Sequence, residues 1–288
     1  MFGQKGYLVV LKKLVTIAFV LVAITIPSVW AEHAPSAKQY TLGIVPQFAQ
    51  RKLFQAWQPL VKELEARTGF SIHIVGSPKI PAFEKRFMAG AYDFAYMNPY
   101  HLLLANKTQG YIPLVRDGSR ELKGVLVVKK NSPIKSLNDL EKKVLAFPSP
   151  NALGASLLMR ADLVKEHGLN FVSLYVQTHS SVYLNVALDQ TEAGGGVLST
   201  LNAQPKELKD KLRILYETQG MPTHPVVAHP RVSKEDREIF RRAWLDLASS
   251  QHGKALLERI PMYRSISTDF SDYEAILQLG LEEFYVVD

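Results

Sequence analysis

Cysteine is absent from the 288-residue chain. That absence excludes disulfide staples, thiol catalysis, Cys-ligated zinc and a lipid-modified cysteine at a processed N-terminus. No glycine-rich loop ends in Lys-Ser/Thr, there is no nucleophile elbow, and no helix carries paired histidines. His224 and His229 stand five apart in an extended segment, which directs them to opposite faces. Neither a metal nor a cofactor is expected. The acidic residues show no grouping that suggests a catalytic carboxylate pair, so the chain reads as a protein that is not an enzyme. Lys and Arg form no concentrated run, and nucleic acid is not an expected partner.

What is present is ordinary globular material, 47% hydrophobic and 21% charged, without repeats or low-complexity tracts. The first 31 residues have the three-part layout of a secretory signal. Lys5, Lys12 and Lys13 supply positive charge, Leu14 to Ile26 form an apolar stretch short for a membrane span, and Pro27 breaks it. Val29-Trp30-Ala31 predicts a cut after Ala31, which leaves Glu32 as the new N-terminus of a periplasmic, non-lipidated protein. An uncleaved anchor reaching back to Tyr7 would bury Lys12 and Lys13 in lipid at high cost. Cleavage removes three lysines and lowers the formal charge from +7 to +4, with 31 basic and 27 acidic side chains remaining. Such a balance supports a weak attraction for anionic solutes or membrane surfaces.

From Tyr40 onward, strand and helix patterns alternate. Tyr40 to Val45 reads as a strand, and Leu53, Phe54, Trp57, Leu60, Val61 and Leu64 recur at helical spacing until Gly69. Phe70 to Val75 alternates as a strand. A helix with Phe83 and Phe87 follows, and Asp93 to Met97 runs into Asn98-Pro99, with proline in the first turn of the next helix. A second series has strands at 124–129, 143–147 and 171–177, a short helix capped by Ser136, an amphipathic helix over 151–167 and a helix capped by Ser180 or Ser181. Gly194 to Gly196 lie in a further strand, where they permit close backbone approach. Short strands are expected at 212–217 and 225–229. From Ser233 the tail reads as helical, without strands of its own, with Phe240, Trp244 and Leu247 on one stripe. The pattern predicts an α/β, two-lobed protein, each lobe a mostly parallel sheet flanked by helices, with a C-terminal helical tail. Residues 32–127 with 225–288 would form lobe 1 and 128–224 lobe 2, the chain crossing near Lys129 to Pro133 and near Met221 to Pro230.

In open α/β sheets, ligands sit beyond the ends of parallel strands, where helix N-termini offer free N–H groups. Four junctions fit: Gln47 and Phe48 after the first strand; Tyr96, Asn98 and Tyr100 around the third; Ser149 and Asn151 in the second series; and His179, Ser180 and Ser181 after its next strand. His224, beside Pro222 and Pro225, joins them as a cleft or hinge residue. Ser180 and Ser181 also read as simple helix caps, Asn98 as a cap, and Tyr96 and Tyr100 as core aromatics.

The ordered stretches Leu42-Gly43-Ile44-Val45-Pro46, Tyr92 to Tyr100, Asn131 to Leu140, Phe147 to Asn151, Thr178 to Ser181, Glu192 to Gly194 and Pro225 to Val227 resemble the periplasmic phosphonate-binding proteins of ABC importers, over about Tyr40 to Val232. The resemblance implies a type II periplasmic-binding fold with two hinged lobes. It also implies a small-molecule ligand, phosphonate, phosphite or a related solute, and an inner-membrane ABC permease as partner, with the protein itself a monomer. It nominates Tyr100, Asn151 and His179 as ligand contacts, with Ser180 and Ser181 presenting helix N–H groups. One departure stands out: where the family places a Ser/Thr-rich cluster, this chain has Asn151-Ala152-Leu153-Gly154-Ala155. A periplasmic sensing module partnered with a membrane signalling protein is the alternative on the same fold.

Overall fold

The computed structural model describes residues 37–287. The secretory signal expected over 1–31 lies outside the described residues.

Two sheets organise the chain. The first holds β1 (Gln39–Ile44), β2 (Ser71–Val75), β3 (Phe94–Tyr96), β4 (Ile112–Asp117), β10 (Val226–Ala228) and β11 (Ser265–Ser267), in the order β11-β4-β10-β3-β1-β2. The second holds β5 (Gly124–Lys129), β6 (Val144–Phe147), β7 (Val172–Tyr175), β8 (Ala193–Val197) and β9 (Leu212–Glu217), in the order β7-β6-β8-β5-β9. β1 runs parallel to β2 and β3, and β6 parallel to β7 and β8. β10, β11 and β5 oppose their neighbours, so four of six and four of five strands share a direction and both sheets are mixed.

The helices follow their sequence signals. α1 (Gln50–Thr68) buries Trp57, Leu60, Val61 and Leu64 on one stripe and ends at Gly69, whose φ of 71° needs glycine. α2 (Ile80–Met88) buries Phe83 and Phe87. α3 (Pro99–Gln109) starts on Asn98, whose side chain accepts from the His101 N–H, with Pro99 in the first turn. In the second lobe, α4 (Leu158–Ala161) is flanked by wide π turns, Leu153–Leu157 before it and Asp162–Glu166 after it, which together form the amphipathic helix expected there. The first turn is seated directly on the sheet. A methyl added at Gly124 or Gly195 would strike the carbonyl oxygen of Gly154 or Ala155, respectively. Of the β8 glycines only Gly195 admits another backbone segment; Gly194 makes room for the Val182 side chain and Gly196 for the Tyr183 ring.

α5 (His179–Ala187) is capped by Thr178, whose Oγ1 accepts from the Ser181 N–H at 3.1 Å. The cap expected at Ser180 or Ser181 therefore falls two residues before Ser180, at Thr178. α6 (Leu198–Asn202) and α7 (Lys206–Lys209) precede β9. In the tail, α8 (Lys234–Ser249) stacks Phe240 on Phe94 at 4.1 Å between ring centroids, and α9 (Gln251–Leu257) follows. β11 then pairs with β4, so the tail does contribute a strand before its two 3-10 segments, Phe270–Leu279 and Leu281–Phe284.

The chain passes between the sheets at 118–123 and 218–225, and a bridge between Leu122 and Met221 ties the two passages together. The first passage comes earlier than the 129–133 expected, and all of β5 belongs to the second sheet. The reason is β4, which the sequence hides behind Pro113; that proline pairs beside a register shift at Val226/Val227, where the missing N–H is tolerated. The main apolar core fills the first lobe and continues without a break into Leu153, Ala155, Leu157, Leu158 and Val197 of the second. Among the described residues no helix is long and apolar enough to cross a membrane.

Candidate functional site

The C-terminal ends of β1 and β3 lie side by side because the Val45 N–H donates to the Tyr96 carbonyl at 3.0 Å, and the Met97 N–H donates to the Pro225 carbonyl at 3.2 Å. This brings Gln47 and Asn98 of one lobe together with His224 of the crossing segment 218–225. Gln47 Nε2 is 3.4 Å from His224 Nε2, and the His224 ring stacks on Tyr96 at 5.4 Å. From the other lobe His179, the first residue of α5, faces them; its Nδ1 is 3.2 Å from Thr200 Oγ1, which also meets the Tyr183 hydroxyl at 2.8 Å. Gln47, Asn98, His179 and His224 converge on a gap of about 10 Å³ between the lobes. Its remaining wall is Val45, Ile80, Ala152 to Ala155 and Val197. Next to it, toward the crossing segments, opens a chamber of about 210 Å³. Gln47, Tyr96 and His224 line that chamber together with Arg120, Lys123, Ser199 and Asn202.

The other residues singled out from the sequence sit elsewhere. Phe48 lines a separate recess of about 80 Å³, with Lys52 Nζ 4.2 Å over its ring. Tyr100 is buried against Tyr285 of the tail, ring centroids 5.8 Å apart. Ser149 is buried, and its Oγ has no hydrogen-bond partner among the described residues. Ser180 and Ser181 are half-buried and line none of these spaces; Ser181 Oγ is 2.8 Å from Thr178 Oγ1. Asn151 is only 1% exposed, and its amide is fully engaged. It donates to the Val286 carbonyl at 2.8 Å and accepts from the Val286 N–H at 2.9 Å. It also donates to Glu84 Oε2 at 3.2 Å, and Asn98 Nδ2 donates to its carbonyl at 3.2 Å.

Sequence reasoning missed Glu84, which bonds His101 Nε2 at 2.9 Å inside the lobe 1 core. The signal was an acidic residue on the buried stripe between Phe83 and Phe87. It also missed the role of the tail as a strap. Arg160 donates to the Phe284 carbonyl at 2.6 Å and Lys165 to the Gly280 carbonyl at 2.9 Å, while Lys165 Nζ lies 5.3 Å from the Phe284 ring centroid. Both cations belong to lobe 2, and the strap arrives from lobe 1, where the segment before it packs on α3.

No ionised side chain lines the gap. Burial pushes His179 down to about 3, and burial, helped by the positive charges around it, does the same to His224. Both imidazoles are neutral at pH 7 and offer one N–H each. The unfolded imidazole titrates near 6.5, so below that pH the unfolded chain holds protons that the native chain refuses, and stability falls as pH falls. Asp162 works in the other direction: burial raises it to about 6, so below that the native form holds the extra proton and gains. The net expectation is a loss of roughly 2–3 kcal/mol between pH 6.5 and 5. Melting curves at both pH values test it; the loss should largely vanish in a His179→Gln, His224→Gln double variant, and an equal loss there would refute the assignment. Among the described residues no group of three His, Asp or Glu side chains is placed to hold a metal ion.

Comparison with known proteins gives a consistent picture. The family described as "ABC transporter, phosphonate, periplasmic substrate-binding protein" matches residues 42–273. The phosphonates-binding periplasmic protein of Escherichia coli is 23% identical over 238 residues, 77% of this chain and 70% of that one. PhnD1 from Prochlorococcus marinus, solved in complex with methylphosphonate, superposes with a TM-score of 0.78 at 19% identity, covering 86% of this chain and 99% of its own. A binding protein component of an ABC phosphonate transporter from Pseudomonas aeruginosa gives 0.77 at 17% identity, covering 84% and 85%. The type II periplasmic-binding fold is thereby established.

Proposed function

This chain belongs to the family of periplasmic substrate-binding proteins of phosphonate ABC transporters, and from that premise we propose that it captures a small phosphonate-like oxyanion between its lobes and presents the closed form to a membrane permease. The observation that carries the reading is the convergence of Gln47 and Asn98 from one lobe, His224 from the crossing segment 218–225 and His179 from the other lobe on a single interlobe gap. All four are uncharged at neutral pH; Gln47 and the two imidazoles carry N–H groups to offer, while Asn98 Nδ2 donates to the Asn151 carbonyl at 3.2 Å and lies 3.1 Å from His101 Nε2. An oxyanion held by hydrogen bonds from both sides favours the closed state over the open one, because only the closed state makes both sets. No bond is made or broken.

In this reading the moving bodies are the two sheets with their helices, and the segments 118–123 and 218–225 are the hinges. Export through a signal cut after Ala31 delivers a monomer to the periplasm. Purified protein with its ligand present at about 100 times the dissociation constant should gain about 2.7 kcal/mol of stability. A thermal-shift screen against methylphosphonate, phosphite, phosphate and sulfonates reads this directly. A flat response to every phosphorus oxyanion would sink the proposal.

A further inference from the structure

Among the described residues Arg160 is the one lysine or arginine that is buried, and it forms no ion pair with any of them. Its hydrogen bonds go to neutral acceptors: Nε donates to Ser156 Oγ at 3.2 Å, and Nη2 to the Pro150 carbonyl at 2.8 Å and the Phe284 carbonyl at 2.6 Å. A guanidinium keeps its charge in a protein, and holding one out of water without a counter-charge is costly. The cations of the chamber beside the gap are compensated. Arg120 Nε is 3.1 Å from Asp117 Oδ2, and Lys123 Nζ is 3.9 Å from Glu217 Oε2. The Arg160 side chain reaches back ten residues to Pro150, in the direction that side chains on a helix lean. It thereby touches both ends of the segment 150–156, of which 152–155 line the interlobe gap. The guanidinium therefore lies within about one helix width of whatever fills that gap, on the order of 10 Å.

We propose that Arg160 is the counter-charge of the captured oxyanion, acting through the 150–156 turn without touching the ligand. The proposal rests on the capture reading above and adds where the charge of that anion is balanced. No ionised side chain lines the gap, so its donors can orient an anion but cannot neutralise it. Behind one stretch of the lining stands a cation that the fold leaves without a carboxylate. Each charge alone is desolvated at a cost, and each offsets part of the cost of the other. Buried charges are screened far less than exposed ones. Across on the order of 10 Å at an effective dielectric of about 20, a unit pair changes affinity roughly tenfold.

The test is calorimetric titration of the purified exported protein with methylphosphonate, phosphite and phosphate, each variant being read with an anion that the native chain binds. Arg160→Met removes the charge and should weaken binding about tenfold. Arg160→Lys keeps the charge but not the planar fork, and should stay within about threefold of native. Lys165→Met controls for the strap, since Lys165 is a second lobe 2 cation bonded to the tail, through the Gly280 carbonyl. Lys165 is more exposed and has Glu283 at 3.4 Å, so its loss should change affinity less than about threefold. A purely structural clasp would instead make Arg160→Lys as weak as Arg160→Met. That result, native affinity in Arg160→Met, or an equal loss in Lys165→Met overturns the proposal and leaves capture intact. If Arg160→Met does not fold, Arg160→Gln, which retains a donor for the Pro150 carbonyl, is read in its place. Failure of both neutral variants to fold would make Arg160 a structural residue and overturn the proposal as well. A native chain that binds none of the three anions would overturn the capture reading itself.

Discussion

Gly195→Ala is expected to cost more than about 3 kcal/mol and to lower the melting temperature by roughly 6–12 °C. The added methyl would land on the carbonyl oxygen of Ala155, far inside contact distance, and 2.6 Å from the Phe147 ring. The first obstacle is backbone, part of the turn Leu153–Leu157, and cannot rotate away. Relief therefore requires lifting that turn off the sheet, which breaks packing between β8, β5 and the core beneath Leu153. Gly168→Ala is the matched control. Gly168 has φ 63° but nothing within 4 Å of the added carbon, so its substitution carries only left-handed strain, about 1–2 kcal/mol. Circular dichroism melts of the two variants separate steric exclusion from backbone preference. If Gly195→Ala melts no lower than Gly168→Ala, the turn is not seated as described. Any folded fraction of Gly195→Ala should also bind its ligand more weakly, because the same turn lines the gap.

That role for a glycine was readable from three consecutive glycines inside a strand pattern, although the partner they admit was not. The alternation of the first hundred residues was equally readable. α1 has its apolar stripe and stops at Gly69, and α3, which buries the consecutive residues Pro99 to Leu103, stops at Gly110, both glycines with positive φ. Local chemistry also placed Asn98: Asn-Pro ahead of an apolar run is a cap followed by a first-turn proline. The failures share a cause. β4 carries a proline whose tolerance depends on a bulge in a partner more than a hundred residues away, and β11 has only three residues. Both owe their existence to pairing and not to pattern. The site divides in the same manner. Strand-end reasoning singled out Gln47, Asn98 and His179, and the flanking prolines singled out His224 as a cleft or hinge residue; the structure brings these four to one gap. Strand-end reasoning could not see that the Asn151 amide is spent on Val286, 135 residues distant, or that Tyr100 packs under the tail.

The tail leads to the second large effect. A chain ended after Gly280 should lose several kcal/mol and shift toward an open form, with a larger radius of gyration in solution scattering. The strap holds lobe 2 by four hydrogen bonds of the described set: two between Asn151 and Val286, one from Arg160 to the Phe284 carbonyl and one from Lys165 to the Gly280 carbonyl. Ending the chain after Gly280 removes the first three. Arg160 is 9% exposed, and burial already disfavours its charge, so its lost acceptor leaves a poorly compensated cation. Asn151 would keep its donation to Glu84 but lose the acceptor and donor matched to its amide. Val286→Pro is the finer probe: it deletes one N–H, leaving Asn151 Oδ1 unpaired, and should cost about 1–2 kcal/mol with little change in shape. Because an open population must be drawn back before a ligand is enclosed, the truncated protein should bind its ligand at least about tenfold more weakly. An unchanged scattering profile together with unchanged affinity would show that the strap merely decorates a closure set by the apolar seam alone, where Leu153 and Val197 join the lobe 1 core.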